Sequence, residues 1–164
     1  MTLRLSLPDP SATEHLGNAL AERIARGCLL TLRGDLGVGK TTLARATITA
    51  LLGRDGRIEP VPSPTFSIVQ TYETADIILT HADLYRIDDA TATRELDLQG
   101  ALDAGALLVE WPRFLEGLSP AKHIDITLAF PSEESEYSCT RIAEISTDGE
   151  SSDNIRSDIG DFLL

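Results

Sequence analysis

Residues 34–41 read Gly-Asp-Leu-Gly-Val-Gly-Lys-Thr, a complete match to the pattern G-x-x-x-x-G-K-[ST]. The match follows the short apolar run 28–33, which predicts a buried strand, and precedes the stretch 41–52, which lacks Gly and Pro and predicts a helix. Glycines let backbone N–H groups curl around phosphate oxygens, and a helix amino terminus adds unpaired donors and partial positive charge. The pattern therefore predicts a strand–loop–helix unit that binds nucleotide phosphates.

Strand-like and helix-like patterns alternate along the rest of the chain. Leucines at every second position of residues 3–7 predict a half-buried strand, and Ser11 followed by Glu14 is a capping-box pattern that predicts a helix reaching towards Gly27. Further strands are predicted at 66–72, 77–82, 106–109, 124–130 and 141–145, and a weakly helical segment at 91–104. The predicted strand with one polar face, 124–130, is typical of a sheet edge.

This order of elements predicts the fold class. Strands that alternate with helices at this spacing are typical of a sheet covered by helices on both faces. We therefore expect an α/β fold, a three-layer sandwich of the P-loop NTPase type. Its mixed sheet should have a parallel centre and antiparallel edge strands.

Acidic residues outnumber basic residues in this chain of 164 residues. It carries 26 Asp and Glu against 14 Lys and Arg, a formal net charge of −12. Residues 131–164 hold nine of the acids and two of the bases. We therefore predict a nucleotide-binding domain over residues 1–147 and an acidic, flexible tail over residues 148–164. Because affinity for nucleic-acid phosphates comes mainly from clustered Lys and Arg, direct binding of RNA or of an anionic membrane is not expected.

The cysteines and the apolar runs help to predict the cellular location of the protein. Cys28 and Cys139 match no metal-binding or redox spacing, which favours buried structural thiols in a reducing environment. No run approaches the roughly 20 apolar residues of a membrane span. We therefore expect a cytoplasmic location with no membrane association.

The glycine-rich loop supplies the first group of candidate site residues. Lys40 is predicted to reach the β- and γ-phosphates, and the Thr41 hydroxyl to bind Mg²⁺. Lys40 and Lys122 are the only lysines of the chain, so Arg is used almost everywhere except in the loop. The alternative is a glycine-rich turn that binds no ligand. Nucleotide contacts are expected from Asp35, Leu36, Gly37, Val38, Gly39, Lys40, Thr41 and Thr42.

Polar residues after other predicted strands supply the candidates for chemistry. Glu110 ends an apolar run, where a carboxylate should emerge beside the loop to hold Mg²⁺; the alternative is an exposed strand-end acid. Asp83 follows another strand and is predicted to orient the attacking water, unless it is a turn acid paired with Arg86. Thr65 is a candidate hydroxyl on the γ-phosphate side, the alternative being ordinary loop chemistry.

The absence of certain sequence motifs reduces the number of nucleotide-dependent reactions that this chain could catalyse. Neither Asn18 nor Asn154 is followed by Lys, so the N-K-x-D guanine reader is absent and an ordinary GTPase is disfavoured. The letters D-x-x-G at residues 97–100 fall in a helical stretch, not after a strand, which argues against a switch motif. Trp111, the only tryptophan, is interpreted as a packing residue.

Four blocks of the sequence together resemble the bacterial TsaE (YjeE) family. They are GDLGVGKTT at residues 34–42, SPT at 63–65, HADLYR at 81–86 and VEWP at 109–112. The resemblance covers residues 5–147 and implies a small P-loop ATPase needed for the N6-threonylcarbamoyladenosine modification at position 37 of tRNAs that read ANN codons. It also implies partner subunits, TsaB and TsaD, that transfer the threonylcarbamoyl group, so that tRNA is engaged only indirectly.

The resemblance also carries over residue roles. It gives Lys40, Thr41, Glu110 and Asp83 the roles inferred above, and residues 63–65 resemble a switch I segment. It implies further nucleotide contacts near Thr13 in the first helix and Arg141 in the last strand.

The favoured interpretation is a slow ATP hydrolase that acts on a partner complex, with ATP and Mg²⁺ as its cofactors. Two alternatives remain open at this point. One is a regulatory binding module that responds to the bound nucleotide and for which hydrolysis is incidental. The other is a small-molecule phosphotransferase, for which the sequence offers no acceptor pocket.

Overall fold

The computed structural model describes residues 2–131 and 139–148 of the chain. Within these ranges the polypeptide forms seven strands and four helices. In chain order they are β1 (Thr2–Leu7), α1 (Pro10–Ala21), β2 (Cys28–Arg33), α2 (Lys40–Gly53), β3 (Val69–Glu73), β4 (Ile78–Asp83), α3 (Ala90–Glu95), α4 (Leu98–Ala104), β5 (Ala106–Glu110), β6 (Lys122–Ala129) and β7 (Arg141–Thr147). The predicted acidic tail, apart from Asp148, lies outside the described residues.

All seven strands belong to one mixed sheet, in the order β1-β7-β6-β2-β5-β4-β3. β6, β2, β5 and β4 run parallel, so that Leu30 lies opposite both Ile124 and Leu108. β1 pairs antiparallel with β7, β7 with β6, and β3 with β4. The predicted combination of a parallel centre with antiparallel edges is confirmed.

Helices cover the sheet on both faces. Apolar residues of α1 and α2 pack with Leu30 and Leu32 on one face, and α4 packs with Leu29 and Leu107 on the other, because successive side chains of β2 point to opposite faces. The result is the expected three-layer sandwich. None of the helices in the described ranges is long and apolar enough to cross a membrane.

The strand with one polar face, β6, is not at a sheet edge, and this expectation was wrong. β6 lies between β7 and β2 in the sheet. Its polar residue Asp125 accepts hydrogen bonds from Thr31 Oγ1 and, at 2.9 Å, from Arg33 Nε of the neighbouring strand. His123 Nε2 also contacts the Thr31 hydroxyl at 2.8 Å. Two polar side chains of β6 thus find partners on β2 inside the sheet, and the alternation of polar and apolar residues does not predict this.

Two helix predictions also need correction. The side chain that caps α1 is Asp9, whose Oδ1 accepts from the backbone N–H of Ala12 at 2.9 Å, and α1 ends at Ala21, well before Gly27. The segment 91–104 is two helices, α3 and α4. Asp97, between them, has a left-handed backbone with φ of 48° and caps α4 through its side chain.

The two cysteines differ in exposure. Cys28, in β2, is buried as predicted, whereas Cys139 is exposed, so the prediction of a buried thiol was wrong for Cys139.

Candidate functional site

The glycine-rich loop connects the carboxyl end of β2 to the amino end of α2. Gly37 and Gly39 have positive φ angles of 76° and 114°, and a Cβ added at either would meet no atom within 4 Å, so the loop presents open backbone there. At Gly34 the opposite holds, since an added Cβ would strike the backbone carbonyl of Leu128 in β6. Gly34 therefore seats the loop against the sheet, while the other two glycines leave its backbone accessible.

The side chain of Lys40 lies folded against this loop. Its ammonium donates to the backbone carbonyls of Gly34 (2.8 Å) and Asp35 (2.7 Å) and lies 3.9 Å from the centre of the Trp111 ring. Burial lowers the pKa of Lys40, while the carboxylates of Glu110 and Asp83 oppose that shift. A compact cation is thus held where the loop backbone turns, and the surrounding carboxylates favour its charged form.

A buried chain of hydrogen bonds links three elements beside the lysine. The Thr41 hydroxyl, at the start of α2, donates to Glu110 Oε2 at 2.7 Å. The other oxygen of Glu110, Oε1, lies 2.9 Å from Nε2 of His81 in β4. Glu110 and His81 are 1% and 0% exposed. Glu110 is therefore a buried strand-end carboxylate aimed at the helix start, which does not agree with the alternative of an exposed acid.

Asp83 lies directly opposite Glu110, at the end of the neighbouring parallel strand. Its Oδ1 accepts from the backbone N–H of Tyr85 at 3.0 Å. Burial raises the pKa of the Asp83 carboxyl; the Tyr85 hydrogen bond opposes the shift, and the charge of Glu110 adds to it. Arg86, the alternative partner considered for Asp83, donates instead to the backbone carbonyl of Thr65.

These residues line one cleft of about 290 Å³. Thr65, in the loop before β3, also lines it, and Ser63 Oγ is in hydrogen-bond contact with the Thr65 hydroxyl. Tyr85 and Trp111, whose ring centres are 4.9 Å apart, complete the wall. The lining residues are Leu36, Gly37, Gly39, Lys40, Thr41, Thr42, Thr65, Asp83, Tyr85, Glu110 and Trp111.

A second cleft of about 340 Å³ opens on the opposite side of the loop. It is lined by Thr13 of α1 and Arg141 of β7, and it shares Gly37, Gly39 and Thr42 with the first cleft. The Arg141 guanidinium donates to the carbonyl of Val38 at 2.9 Å. The two clefts therefore meet at the loop, and their combined lining is the surface that contains the candidate site.

The structure brings most of the predicted site residues together around this surface. Asp35 is the exception, since its side chain is exposed and lines neither cleft, although its carbonyl holds Lys40. The role of His81 was missed, although its spacing of two residues from Asp83 on a strand places both on one face of the sheet. The place of Trp111 above Lys40 had no sequence signal, because its φ of 54° directs the ring in a way that strand alternation does not predict.

The oxygen atoms beside the loop fit a particular kind of metal ion. The residues that the structure describes contain no group of three His, Cys, Asp or Glu that could hold a metal by themselves. Mg²⁺, however, is usually held by one or two protein oxygens together with waters and phosphate oxygens. Thr41 Oγ1 at the start of α2 and Glu110 Oε2 at the end of β5 are two hard oxygen atoms that fit Mg²⁺ bound together with a nucleotide.

The fold and the glycine-rich loop together define the class of protein. The chain is an α/β protein of the P-loop NTPase-like fold, with its candidate site at the carboxyl ends of β2, β4 and β5. The solved structure of Bacillus subtilis YdiB shares this fold, with a TM-score of 0.67 over 92% of this chain and 87% of that chain at 24% sequence identity.

The sequence comparisons then identify the family. The model of the family described as threonylcarbamoyl adenosine biosynthesis protein TsaE matches residues 7–139. The tRNA threonylcarbamoyladenosine biosynthesis protein TsaE of Synechocystis is 37% identical over 122 residues, 71% of this chain and 74% of the relative. Its counterpart in Rickettsia bellii is 35% identical over 116 residues, 71% of this chain and 78% of the relative. The chain belongs to the TsaE family.

Proposed function

We propose that this chain is a P-loop ATPase that binds ATP with Mg²⁺, hydrolyses it slowly and thereby supports formation of N6-threonylcarbamoyladenosine at position 37 of tRNAs that read ANN codons. The observation that carries the proposal is the convergence of Lys40, Thr41, Glu110 and Asp83 on one cleft at the glycine-rich loop. Membership of the TsaE family supports the tRNA-modification role. The partners proposed from the resemblance are the TsaB and TsaD subunits, which would hold the tRNA.

The residues have separate roles in this proposal. The loop N–H groups and the Lys40 ammonium bind the phosphates, and Thr41 and Glu110 hold the metal. When bound, Mg²⁺ neutralises charge on the phosphate oxygens. Asp83, on the same cleft, orients the attacking water. Thr13 and Arg141, in the cleft on the other side of the loop, bind the nucleoside part.

The experiment that tests the ATPase proposal compares Lys40→Ala and Glu110→Ala with the parent chain. Lys40→Ala should abolish nucleotide binding, measured by calorimetry, because it removes the cation at the phosphates. Glu110→Ala should retain binding but lose turnover by about 100-fold or more, measured as phosphate release. Lys122→Ala, the other lysine of the chain, is the matched control and should behave as the parent. Full ATPase activity in both cleft variants would refute the proposal.

The tRNA-modification role needs its own measurement. Modification should be reconstituted with TsaB, TsaD and a tRNA that reads ANN codons, with and without this protein, across many turnovers. We expect product formation to depend on the protein and on ATP, and to stop with a non-hydrolysable analogue. Full modification with the analogue would favour a regulatory module, and modification without the protein would remove the cellular role while leaving the ATPase intact.

A further inference from the structure

The two carboxylate oxygens of Glu110 have different partners. Oε2 accepts from the Thr41 hydroxyl at 2.7 Å, and Oε1 faces His81 Nε2 at 2.9 Å. A glutamate ends in a carboxylate whose last torsion is broad, so its oxygens are poorly fixed by the side chain itself. The orientation of Glu110 therefore depends on these two contacts.

In the part of the chain that the structure describes, His81 makes a hydrogen-bond contact through Nε2, with Glu110, and none through Nδ1. Because a carboxylate only accepts hydrogen bonds, Nε2 carries the proton that the contact requires. Nδ1 is buried and has no hydrogen-bond partner among residues 2–131 and 139–148. A buried histidine nitrogen without a hydrogen-bond partner lowers the stability of the folded state, so stability does not explain a histidine at this position. The contact with Glu110 is thus the visible reason for a histidine here.

The positive charge of Lys40 also acts on the Glu110 carboxylate. The negative charge of Glu110 favours the charged form of Lys40 and opposes the lowering of its pKa, so the two groups attract each other. This attraction acts on the carboxylate in addition to its two hydrogen bonds. The hydrogen bond from His81 anchors Oε1 on the β4 side and leaves Oε2 directed at the Thr41 hydroxyl.

We propose that His81 is a positioning residue, which orients Glu110 so that its second oxygen and the Thr41 hydroxyl form the Mg²⁺-binding pair. This inference rests on the proposed function, since it concerns the metal that accompanies the nucleotide. Removal of a group that hydrogen-bonds to a metal ligand typically lowers metal affinity or activity by about 10- to 100-fold. His81 should therefore act on Mg²⁺ dependence and leave the phosphate contacts of the loop unchanged.

The test measures binding of a non-hydrolysable ATP analogue by calorimetry while Mg²⁺ is titrated, and again in EDTA. His81→Leu removes the donor and should raise the Mg²⁺ concentration at half-saturation by about 10- to 100-fold, with unchanged affinity in EDTA. His81→Gln, which can place an amide N–H near the position of Nε2, should recover most of this loss. His123→Leu, a histidine of the same sheet that bonds Thr31, is the matched control and should keep the Mg²⁺ dependence of the parent.

A double substitution separates positioning from general disruption of the fold. In a Glu110→Ala background, His81→Leu should cause no further change in Mg²⁺ dependence, because the group that His81 orients is gone. If His81→Leu does not fold by circular dichroism, His81→Asn replaces it, since its shorter amide does not reach Glu110. Unchanged Mg²⁺ dependence in a folded variant that lacks the donor would overturn the inference, as would equal losses with and without Glu110. Failure of the parent to bind the analogue at all would instead refute the proposed function.

Discussion

Asp83, at the end of β4, is 8% exposed, and burial raises the pKa of its carboxyl group above the ordinary value of 3.8. An acid with a higher pKa in the folded chain binds its proton more tightly when folded than when unfolded. Between 3.8 and its raised pKa, the free energy of unfolding therefore falls as pH rises. At neutral pH the ionised Asp83 therefore opposes folding.

Asp83→Asn should accordingly raise the melting temperature of the nucleotide-free protein at neutral pH. Asn keeps an oxygen that can accept from the Tyr85 N–H, so the change removes the charge and leaves that hydrogen bond in place. The gain should shrink as pH is lowered and vanish below 3.8, where the parent Asp is protonated in both states. Thermal unfolding across this pH range is the measurement. Asp83→Ala, which loses the acceptor, should gain less than Asn, and a lower melting temperature for Asn would contradict the prediction.

At the scale of the element, helix α1 shows how local sequence signals compete. Ser11 with Glu14 forms a capping-box pattern, yet the extended residue that starts the helix is Asp9, with φ of −154° and ψ of 173°, followed by Pro10. Both patterns agree with known helix starts. The choice depends on where the chain leaves β1, which the sequence pattern alone does not specify.

Asp9→Ala should destabilise the protein by about 1 kcal/mol, because the Ala12 N–H loses its acceptor at the helix start. Ser11→Ala, on the exposed face inside the helix, should change the free energy of unfolding by less than about 0.5 kcal/mol. Urea unfolding of both variants gives the comparison. A larger loss for Ser11→Ala would show that the capping-box pattern, not Asp9, sets the start of α1.

At the scale of the whole molecule, the net charge of −12 bears on the partners. The candidate site contains a single lysine, Lys40, whose ammonium donates to two loop carbonyls and feels the negative charges of three carboxylates, those of Glu110, Asp83 and Asp35. This arrangement suits the phosphates of one nucleotide better than an extended phosphate backbone. It agrees with the proposal that, in tRNA modification, other subunits hold the RNA.

The isolated protein should form no salt-sensitive complex with tRNA. Fluorescence anisotropy of labelled tRNA should stay unchanged on addition of the protein at low salt, where phosphate contacts are strongest. The same titration with the TsaB and TsaD subunits present is the control, and binding there should weaken as salt rises. A complex formed by the protein alone that weakens with salt would contradict this prediction.

The sequence by itself determined the strand–loop–helix unit, the mixed α/β sheet and the candidate residues Lys40, Thr41, Asp83 and Glu110. It could do so because glycine spacing and strand ends are local properties, and the carboxyl ends of parallel strands meet at one edge of a sheet.

Only the tertiary structure decided the place of β6 inside the sheet, the contact of Trp111 with Lys40 and the pairing of His81 with Glu110. Each of these joins residues distant in sequence or depends on a backbone angle that is set by packing. Such contacts form only when the chain has folded and packed its core, and local sequence periodicity does not predict them.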